Sequence, residues 1–262
     1  MTAPALVLLA HGSTDPRVVD VAHQLRVAMQ SMRSEVPTYS AFLDHCPPSG
    51  PQVVSRIART HTTEVVFVPL NLSNAFGADD TMQTILDRVR NSHPELKYHA
   101  AAPIGPSPQL LPLVDRRLRA ALSRTRATEL DGLVLAVEGT HDQRSLSLIA
   151  RRTRQWSVHH KLPVVTAFAT EPDQGAGAAV RTLRSQGRRH IAVGSLFLTP
   201  DEAYQHERAQ ALAAGAIAVG APLGCEPEVV DLVHARYCVG AMDLLDFGFV
   251  EQAVAEGLDE AV

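Results

Sequence analysis

The 262-residue sequence has few cysteines and few aromatic residues, and it contains no long hydrophobic run. Its three cysteines form no Cys-x-x-Cys pair, which argues against a disulfide framework, a zinc knuckle or an iron–sulfur site. No apolar stretch approaches the roughly 20 residues that span a bilayer, and no basic, apolar leader precedes the first strand pattern. We therefore expect a soluble, cytoplasmic protein that does not act at a membrane.

Positive charge is not in excess either. Lysine and arginine number 24 against 28 aspartate and glutamate residues, which gives a formal net charge of −4. A protein that binds nucleic acid non-specifically needs a basic face, so nucleic acid is not an expected partner. The sequence also lacks a Gly-x-Gly-x-x-Gly motif and a P-loop, so no nucleotide cofactor is predicted.

The first apolar run ends at a histidine. Residues 5–10 are Ala-Leu-Val-Leu-Leu-Ala, which is typical of a buried strand, and His11 follows in a His-Gly-Ser turn before an amphipathic helix. Ligands of an open parallel α/β sheet bind at the carboxyl ends of the strands, where His11 is expected to lie. A neutral imidazole there can bind a metal ion or accept a proton, or it can simply cap the following helix.

The chain repeats itself, and Glu138 occupies the position in the second repeat that His11 occupies in the first. The matching segments are 6–17 with 133–144, 37–42 with 164–168, 64–72 with 190–198, and 104–117 with 223–236. Strands alternate with helical stretches, which indicates βαβ units. We predict an α/β fold of two duplicated Rossmann-like lobes with mostly parallel sheets facing a central cleft. The lobes are residues 1–125 and 130–262, the second with a helical tail, in a monomer or homodimer.

Motifs of the first lobe resemble those of the sirohydrochlorin chelatases of the CbiX/SirB type. In order they are Leu-Ala-His-Gly-Ser at 9–13 with Asp-Pro-Arg at 15–17, Ala-Phe-Leu-Asp at 41–44, Val-Pro-Leu-Asn-Leu-Ser at 68–73, and Pro-Ile-Gly-Pro-Ser-Pro at 103–108. The second lobe fits the long, duplicated form of that family. The resemblance implies a type II chelatase fold. It also implies an enzyme that inserts Fe²⁺ or Co²⁺ into sirohydrochlorin without ATP, in siroheme or cobalamin-type tetrapyrrole biosynthesis.

Three residues are predicted to be catalytic: His11 and Asp44 from the resemblance, and Glu138 from its position in the internal repeat. His11 delivers the metal substrate, because a neutral imidazole suits a borderline metal and can also accept a proton. Asp44, at the position of the family's glutamate on strand two, and Glu138, at the facing strand end, supply carboxylates that orient the imidazole or take up protons. Asp44 has a second interpretation, in which it binds a backbone amide of the turn that follows it.

Three residues are predicted to contact the tetrapyrrole: Ser13, Arg17 and Ser73. Arg17 is assigned this role because a guanidinium group binds carboxylates bidentately and the tetrapyrrole has eight of them. It can equally form a structural ion pair with Asp15.

A second family histidine is missing from this sequence. The family places it on the loop after strand three, in Leu-Ser-x-Ala-[Phe/Tyr]-His, and Gly77 stands at that position. Four residues are candidates to replace it as a metal ligand: Asp79, Asp80, His45 and His206. We predict that His11, His206 and Asp80 bind the metal. If nothing replaces the histidine, the protein binds a tetrapyrrole or a metal without turning over.

One further pair of histidines, His159 and His160, lies between Arg154 and Lys161. This basic context is more typical of a surface turn than of a metal-binding pair.

Overall fold

The computed structural model describes residues 3–74, 80–125 and 129–255, of which residues 80, 81, 172 and 246–255 are described by their backbone alone. It contains two four-stranded parallel sheets flanked by helices, which confirms the predicted α/β class with two duplicated lobes. The first half comprises β1 (Ala5–Ala10), α1 (Pro16–Met32), β2 (Thr38–Phe42), α2 (Gly50–Ile57), β3 (Glu64–Pro69), α3 (Asp80–Ser92), β4 (Lys97–Ala100) and α4 (Leu111–Thr125). The second half comprises β5 (Gly132–Val137), α5 (Gln143–His160), β6 (Val164–Phe168), α6 (Ala176–Ser185), β7 (Ile191–Leu196), α7 (Glu202–Ala213), β8 (Ala218–Val219) and α8 (Pro227–Ala255).

The two sheets have the same strand order, β2-β1-β3-β4 and β6-β5-β7-β8. In the first sheet Leu8 of β1 lies between Ser40 of β2 and Val68 of β3. Strands β1 and β5 are therefore equivalent central strands, and burial on both faces explains their uninterrupted apolar sequences. This equivalence places His11 and Glu138 directly after corresponding strands of the two halves.

An aspartate caps the first helix of each half. The Asp15 side chain accepts a hydrogen bond from the Arg17 backbone N–H at the start of α1, and Pro16 occupies the first turn. Asp142 accepts bonds from the Arg144 and Ser145 backbone N–H groups at the start of α5. Such caps satisfy orphan N–H groups and typically stabilise a helix by about 1 kcal/mol. Both helices thus begin just beyond the carboxyl ends of the central strands.

Each sheet is covered in part by a helix from the other half of the chain. Helix α8 packs on β3 and β4 of the first sheet, while α4 packs on β7 and β8 of the second. Helices α1 and α5 cover the rest of the two inner faces, and all four helices share one hydrophobic core. The outer faces pack separately against α2 and α3 in the first half and against α6 and α7 in the second. The two lobes are therefore joined by a continuous apolar core.

Two equivalent arginines form hydrogen bonds between the halves, one from each helix that packs on the sheet of the other half. Arg117 of α4 donates to the Leu223 carbonyl of the second half at 2.8 Å, and Arg236 of α8 donates to the Pro103 carbonyl of the first half at 2.9 Å. These arginines occupy matching positions in the sequence repeat, and so do the two loops that accept the bonds. The three-dimensional contacts thus follow the same internal repeat as the sequence.

Helix α8 has 29 residues and begins at Pro227. The predicted helical tail is the last part of this helix as far as Ala255, and the residues beyond it lie outside the described part of the chain. No helix in the described ranges is both long enough and apolar enough to cross a membrane.

We expect Leu113→Ala in the exchanged helix α4 to destabilise the whole protein by about 2–5 kcal/mol, because it opens a cavity in the shared core. Leu113 is fully buried in that core. The unfolding of both halves should shift together in urea, whether followed by far-UV circular dichroism or by the fluorescence of Trp156, the only tryptophan. Leu212→Ala, at a position 39% exposed on α7, is the matched control and should cost less than about 1 kcal/mol. Separate transitions for the two probes would contradict the shared core.

Candidate active site

Three ionisable side chains from both halves line one small pocket at the carboxyl ends of the strands. His11 follows β1, Glu138 follows β5, and Asp201 follows β7 at the start of α7. The pocket holds about 60 Å³ and is also lined by Asn71 and Thr199. This volume is sufficient for a metal ion or a few waters, since one water needs roughly 10–15 Å³ on this measure. The strand ends thus bring an imidazole and two carboxyl groups together where the lobes face each other.

The two carboxyl groups of this pocket both have raised pKa values. The pKa of Glu138 is raised to about 7, first because burial removes water from the carboxylate and second because the Asp201 carboxylate is near. Burial likewise raises the pKa of Asp201, although hydrogen bonds from the Tyr204 backbone N–H and the Thr199 hydroxyl act against the rise. The charge of His11 lowers the pKa of both groups. A carboxyl group with a pKa near 7 can accept and release protons at neutral pH.

Asp44 holds the turn that carries His11. One carboxylate oxygen accepts the Gly12 backbone N–H at 2.7 Å, and the other lies 3.4 Å from His11 Nδ1. Asp44 thus faces the imidazole, and the backbone amide that it binds belongs to Gly12 and not to the turn that follows Asp44. Glycine is required at position 12, because a Cβ there would lie 2.0 Å from the Asp44 carbonyl oxygen. Asp44 thereby fixes the backbone beside His11, whose side chain remains 55% exposed.

A wider cleft of about 650 Å³ adjoins this pocket, and Gly12 and Asp201 line both. Ser13 and His206 line the cleft, as does His45, so these residues face one space although they come from both halves. His206 is exposed on α7. The structure thus places it in the cleft, whereas His11, Glu138 and Asp201 line the pocket beside it.

Ser73 joins the two lobes at the edge of the site. It is completely buried, and its hydroxyl accepts the Gly139 backbone N–H at 3.3 Å. The neighbouring Asn74 accepts a hydrogen bond from the Thr140 hydroxyl in the same way. Gly139 has a φ of 112°, and a Cβ there would meet the Thr170 hydroxyl oxygen at 2.2 Å. These bonds connect the loop after β3 to the turn that carries Glu138.

Arg17 forms the structural ion pair with Asp15 that was the alternative to a substrate contact. Its guanidinium makes a bidentate contact with the Asp15 carboxylate, with N–O distances of 3.0 Å and 2.6 Å. This pair holds the pKa of Asp15 below its ordinary value. Asp80 begins α3, but its side chain lies outside the described atoms, and Gly77 and Asp79 lie outside the described residues.

Asp201 is the site residue that sequence reasoning missed. It stands in the loop after β7, in the segment Thr-Pro-Asp-Glu-Ala, where its side chain caps α7 by accepting the Tyr204 backbone N–H at 2.8 Å. An aspartate just before a helix normally indicates a cap and nothing more. Its position could have indicated a site residue, because Asp201 follows β7, the neighbour of β5, whose carboxyl end carries Glu138.

Comparison with known proteins gives the same fold. SirB from Bacillus subtilis with Fe³⁺ shares 20% identity and a TM-score of 0.70, covering 91% of this chain and 96% of that chain. SirB from Bacillus subtilis subspecies spizizenii in complex with cobalt shares 14% identity and a TM-score of 0.74, covering 92% and 96%. CbiX, described as the terminal enzyme for siroheme biosynthesis in denitrifying bacteria, shares 18% identity and a TM-score of 0.64, covering 90% and 98%.

No curated protein sequence matches this one. The model of the CbiX family, however, matches the chain twice, over residues 5–121 and 132–239. The two matches correspond to the two halves of the internal repeat. Because together they span most of the sequence, this chain belongs to the CbiX family.

Proposed function

We propose that this protein inserts a divalent metal ion, Fe²⁺ or Co²⁺, into sirohydrochlorin. The observation that carries the proposal is the convergence of His11, Glu138 and Asp201 on one pocket between the lobes. Membership of the CbiX family supports it, as do related structures described as sirohydrochlorin chelatases or as containing iron or cobalt. The adjoining cleft falls within the roughly 300–1,000 Å³ that small-molecule sites occupy.

The chemistry of insertion matches the groups in the pocket. When a dication enters the macrocycle, two pyrrole N–H protons must leave, so the site needs a metal ligand and proton acceptors. His11 supplies an imidazole that binds a borderline metal and can release it. Glu138 and Asp201 supply the acceptors, and the pKa of Glu138, near 7, allows it to take a proton and pass it to water at neutral pH. Asp44 orients His11 through its hydrogen bond from the Gly12 backbone N–H and its contact with the imidazole.

The cleft is the proposed binding place of the tetrapyrrole. Ser13, His45 and His206 line it and offer hydrogen-bonding groups to the substrate's carboxylates. His206 lies in the half opposite His11, so it can approach the metal from the other side of the macrocycle. We retain it as the proposed second metal ligand in place of the histidine that Gly77 replaces.

The decisive assay mixes purified protein, sirohydrochlorin and Fe²⁺ or Co²⁺ without oxygen and follows metallation by absorbance. We expect the rate to exceed that of the same mixture without protein. Running the two metals in parallel identifies the preferred one, which ligand type alone leaves open. A rate equal to the protein-free mixture for both metals would overturn the proposed activity.

The absent histidine favours a second candidate function, a tetrapyrrole- or metal-binding protein without turnover. Glycine at position 77 has no side chain to bind metal or accept a proton. Tight binding of sirohydrochlorin in an absorbance titration, together with insertion at the protein-free rate, would support this function. Insertion gained by Gly77→His alone would show that the loss of this side chain is the cause.

A further inference from the structure

We propose that Asp115, His159 and His160 form a second metal site. It binds a divalent transition-metal ion such as Zn²⁺ and links α4, which packs on the sheet of the other half, to α5. One ligand atom from each residue lies within 4.8 Å of the other two. Asp115 belongs to the first half of the chain, whereas both histidines end the first helix of the second half. The site is separate from the metal-insertion site proposed above.

The distances suit a small metal ion. His160 Nε2 lies 2.8 Å from Asp115 Oδ1, and His159 Nε2 lies 3.7 Å from Asp115 Oδ2. Ligands that bind Zn²⁺ at about 2.0–2.1 Å in tetrahedral geometry are about 3.3 Å apart, which falls between these two values. Each of these two separations is about 0.5 Å or less from that value, and the third ligand separation, between the two imidazoles, is at most 4.8 Å. Three protein ligands leave the fourth position to water.

The protein also orients these ligands. Trp156 donates its indole N–H to Asp115 Oδ1 at 2.6 Å, and its ring packs edge-on against His160 with centroids 5.3 Å apart. The Asp115 side chain is only 10% exposed. Partners of this kind fix the orientation of metal ligands, and their loss commonly lowers metal affinity 10- to 100-fold. Without a metal, the same network leaves His159, 64% exposed, at 3.7 Å from the carboxylate.

The surroundings select the class of ion. Asp115 and His159 line a surface pocket of about 380 Å³ that also contains Arg116 and Arg119. Arg116 is paired with Glu226 and Glu228, whereas the charge of Arg119 opposes any cation. A hard cation such as Mg²⁺ is held by carboxylate and water oxygens and gains little from imidazole, so this site disfavours it. A borderline ion that bonds to two neutral imidazoles offsets the opposing charge.

The site is distant from the cleft. Helix α5 begins beside the turn that carries Glu138, and its last residues lie about 25 Å further along the helix axis. The pocket at Asp115 shares no lining residue with the pocket of His11 or with the cleft. The basic sequence context of His159 and His160 gave no indication of this site, because its carboxylate is 44 residues away and reaches them only through the exchange of α4.

The test uses Zn²⁺ alone and the full chain carrying His11→Ala, which we expect to weaken metal binding in the pocket of His11. We expect calorimetric titration to show that this variant still binds one Zn²⁺ ion per chain. We also expect zinc to raise its melting temperature, since an ion that binds only the folded state stabilises it. Adding His159→Ala should weaken binding at least tenfold and remove the thermal shift. The His159 side chain is 64% exposed, so we expect its replacement by alanine to leave the fold intact. Adding His61→Ala, an exposed histidine elsewhere, is the matched control and should change neither.

Asp115→Asn provides the second variant, because it keeps an acceptor for the Trp156 indole while removing the charge. We expect it also to weaken zinc binding at least tenfold in the His11→Ala background. Co²⁺ in place of Zn²⁺ should give visible absorption bands of a four- or five-coordinate ion, which are lost with His159→Ala. Zinc affinity that is unchanged by both substitutions, or the absence of zinc binding in His11→Ala alone, would overturn the proposed site.

Discussion

Replacing His11 with alanine is expected to lower the protein-dependent rate of metal insertion at least about 100-fold, the usual minimum contribution of a well-placed catalytic group. His11 is the imidazole that lines the pocket shared with Glu138 and Asp201. Its removal takes away the proposed metal ligand and leaves both carboxyl groups in place. The measurement is the anaerobic insertion assay at several metal concentrations, which separates an effect on KM for the metal from an effect on kcat.

The fold should tolerate this substitution. The His11 side chain is more than half exposed, and its contact with Asp44 is long at 3.4 Å, whereas the bond from the Gly12 backbone N–H to Asp44 does not depend on the imidazole. We expect the free energy of unfolding to change by less than about 1 kcal/mol. His61→Ala serves as the control and should leave the rate unchanged. An unchanged rate in His11→Ala would remove the histidine from the mechanism.

The second large effect concerns Glu138, whose replacement by glutamine should stabilise the protein at high pH while it impairs insertion. Its pKa rises from the ordinary 4.5 to about 7 on folding, which corresponds to about 3 kcal/mol. Below pH 4.5 the carboxyl group is protonated in both folded and unfolded states, so it imposes no cost. Between pH 4.5 and 7 only the unfolded state loses the proton, and the stability of the folded protein declines. Above pH 7 the full cost remains.

Glu138→Gln removes this cost because an amide stays neutral at every pH. Chemical denaturation should therefore give equal stabilities for variant and parent near pH 4, and up to about 3 kcal/mol more for the variant at pH 8. The facing groups Asp201 and His11 are unchanged in the comparison. Glu202→Gln, at an exposed position lining the neighbouring cleft, is the matched control and should show no such pH-dependent gain. A stability difference that is the same at both pH values would contradict the raised pKa of Glu138.

The same substitution should lower insertion, because an amide cannot accept a pyrrole proton. We expect the rate of Glu138→Gln to fall at least about tenfold at pH 7 and to lose the part of the pH profile that rises through pH 7. A gain in stability combined with a loss of activity is the expected signature of a charge that is buried for function. If Glu138→Gln is stabilised as predicted but inserts metal as fast as the parent protein, Glu138 lowers stability without taking part in insertion. Proton transfer would then be assigned to Asp201.

The candidate site was predictable to the extent that it follows the strands. His11 and Glu138 were identified because parallel strands end at one sheet edge and the internal repeat aligns the two positions. Asp201 was not, since a residue that caps a helix has an ordinary local explanation and its shared pocket with Glu138 arises only when the lobes pack. Ser73 was assigned to substrate, but the structure buries it against Gly139 in a bond between the lobes.

The sequence by itself determined the α/β class, the parallel sheets and the duplication, because apolar runs and turns are local and the repeat is present in the order of the residues. It also indicated His11 as a candidate site residue, because the first apolar run ends there. Only the tertiary structure decided that α4 packs on the second sheet and α8 on the first, since an apolar helix face does not by itself specify which apolar sheet it covers. That exchange brings Asp115 to His159 and His160, as the packing of the lobes brings Asp201 to Glu138. The raised pKa values of Glu138 and Asp201 depend on burial in the pocket between the lobes, which no single segment of sequence specifies.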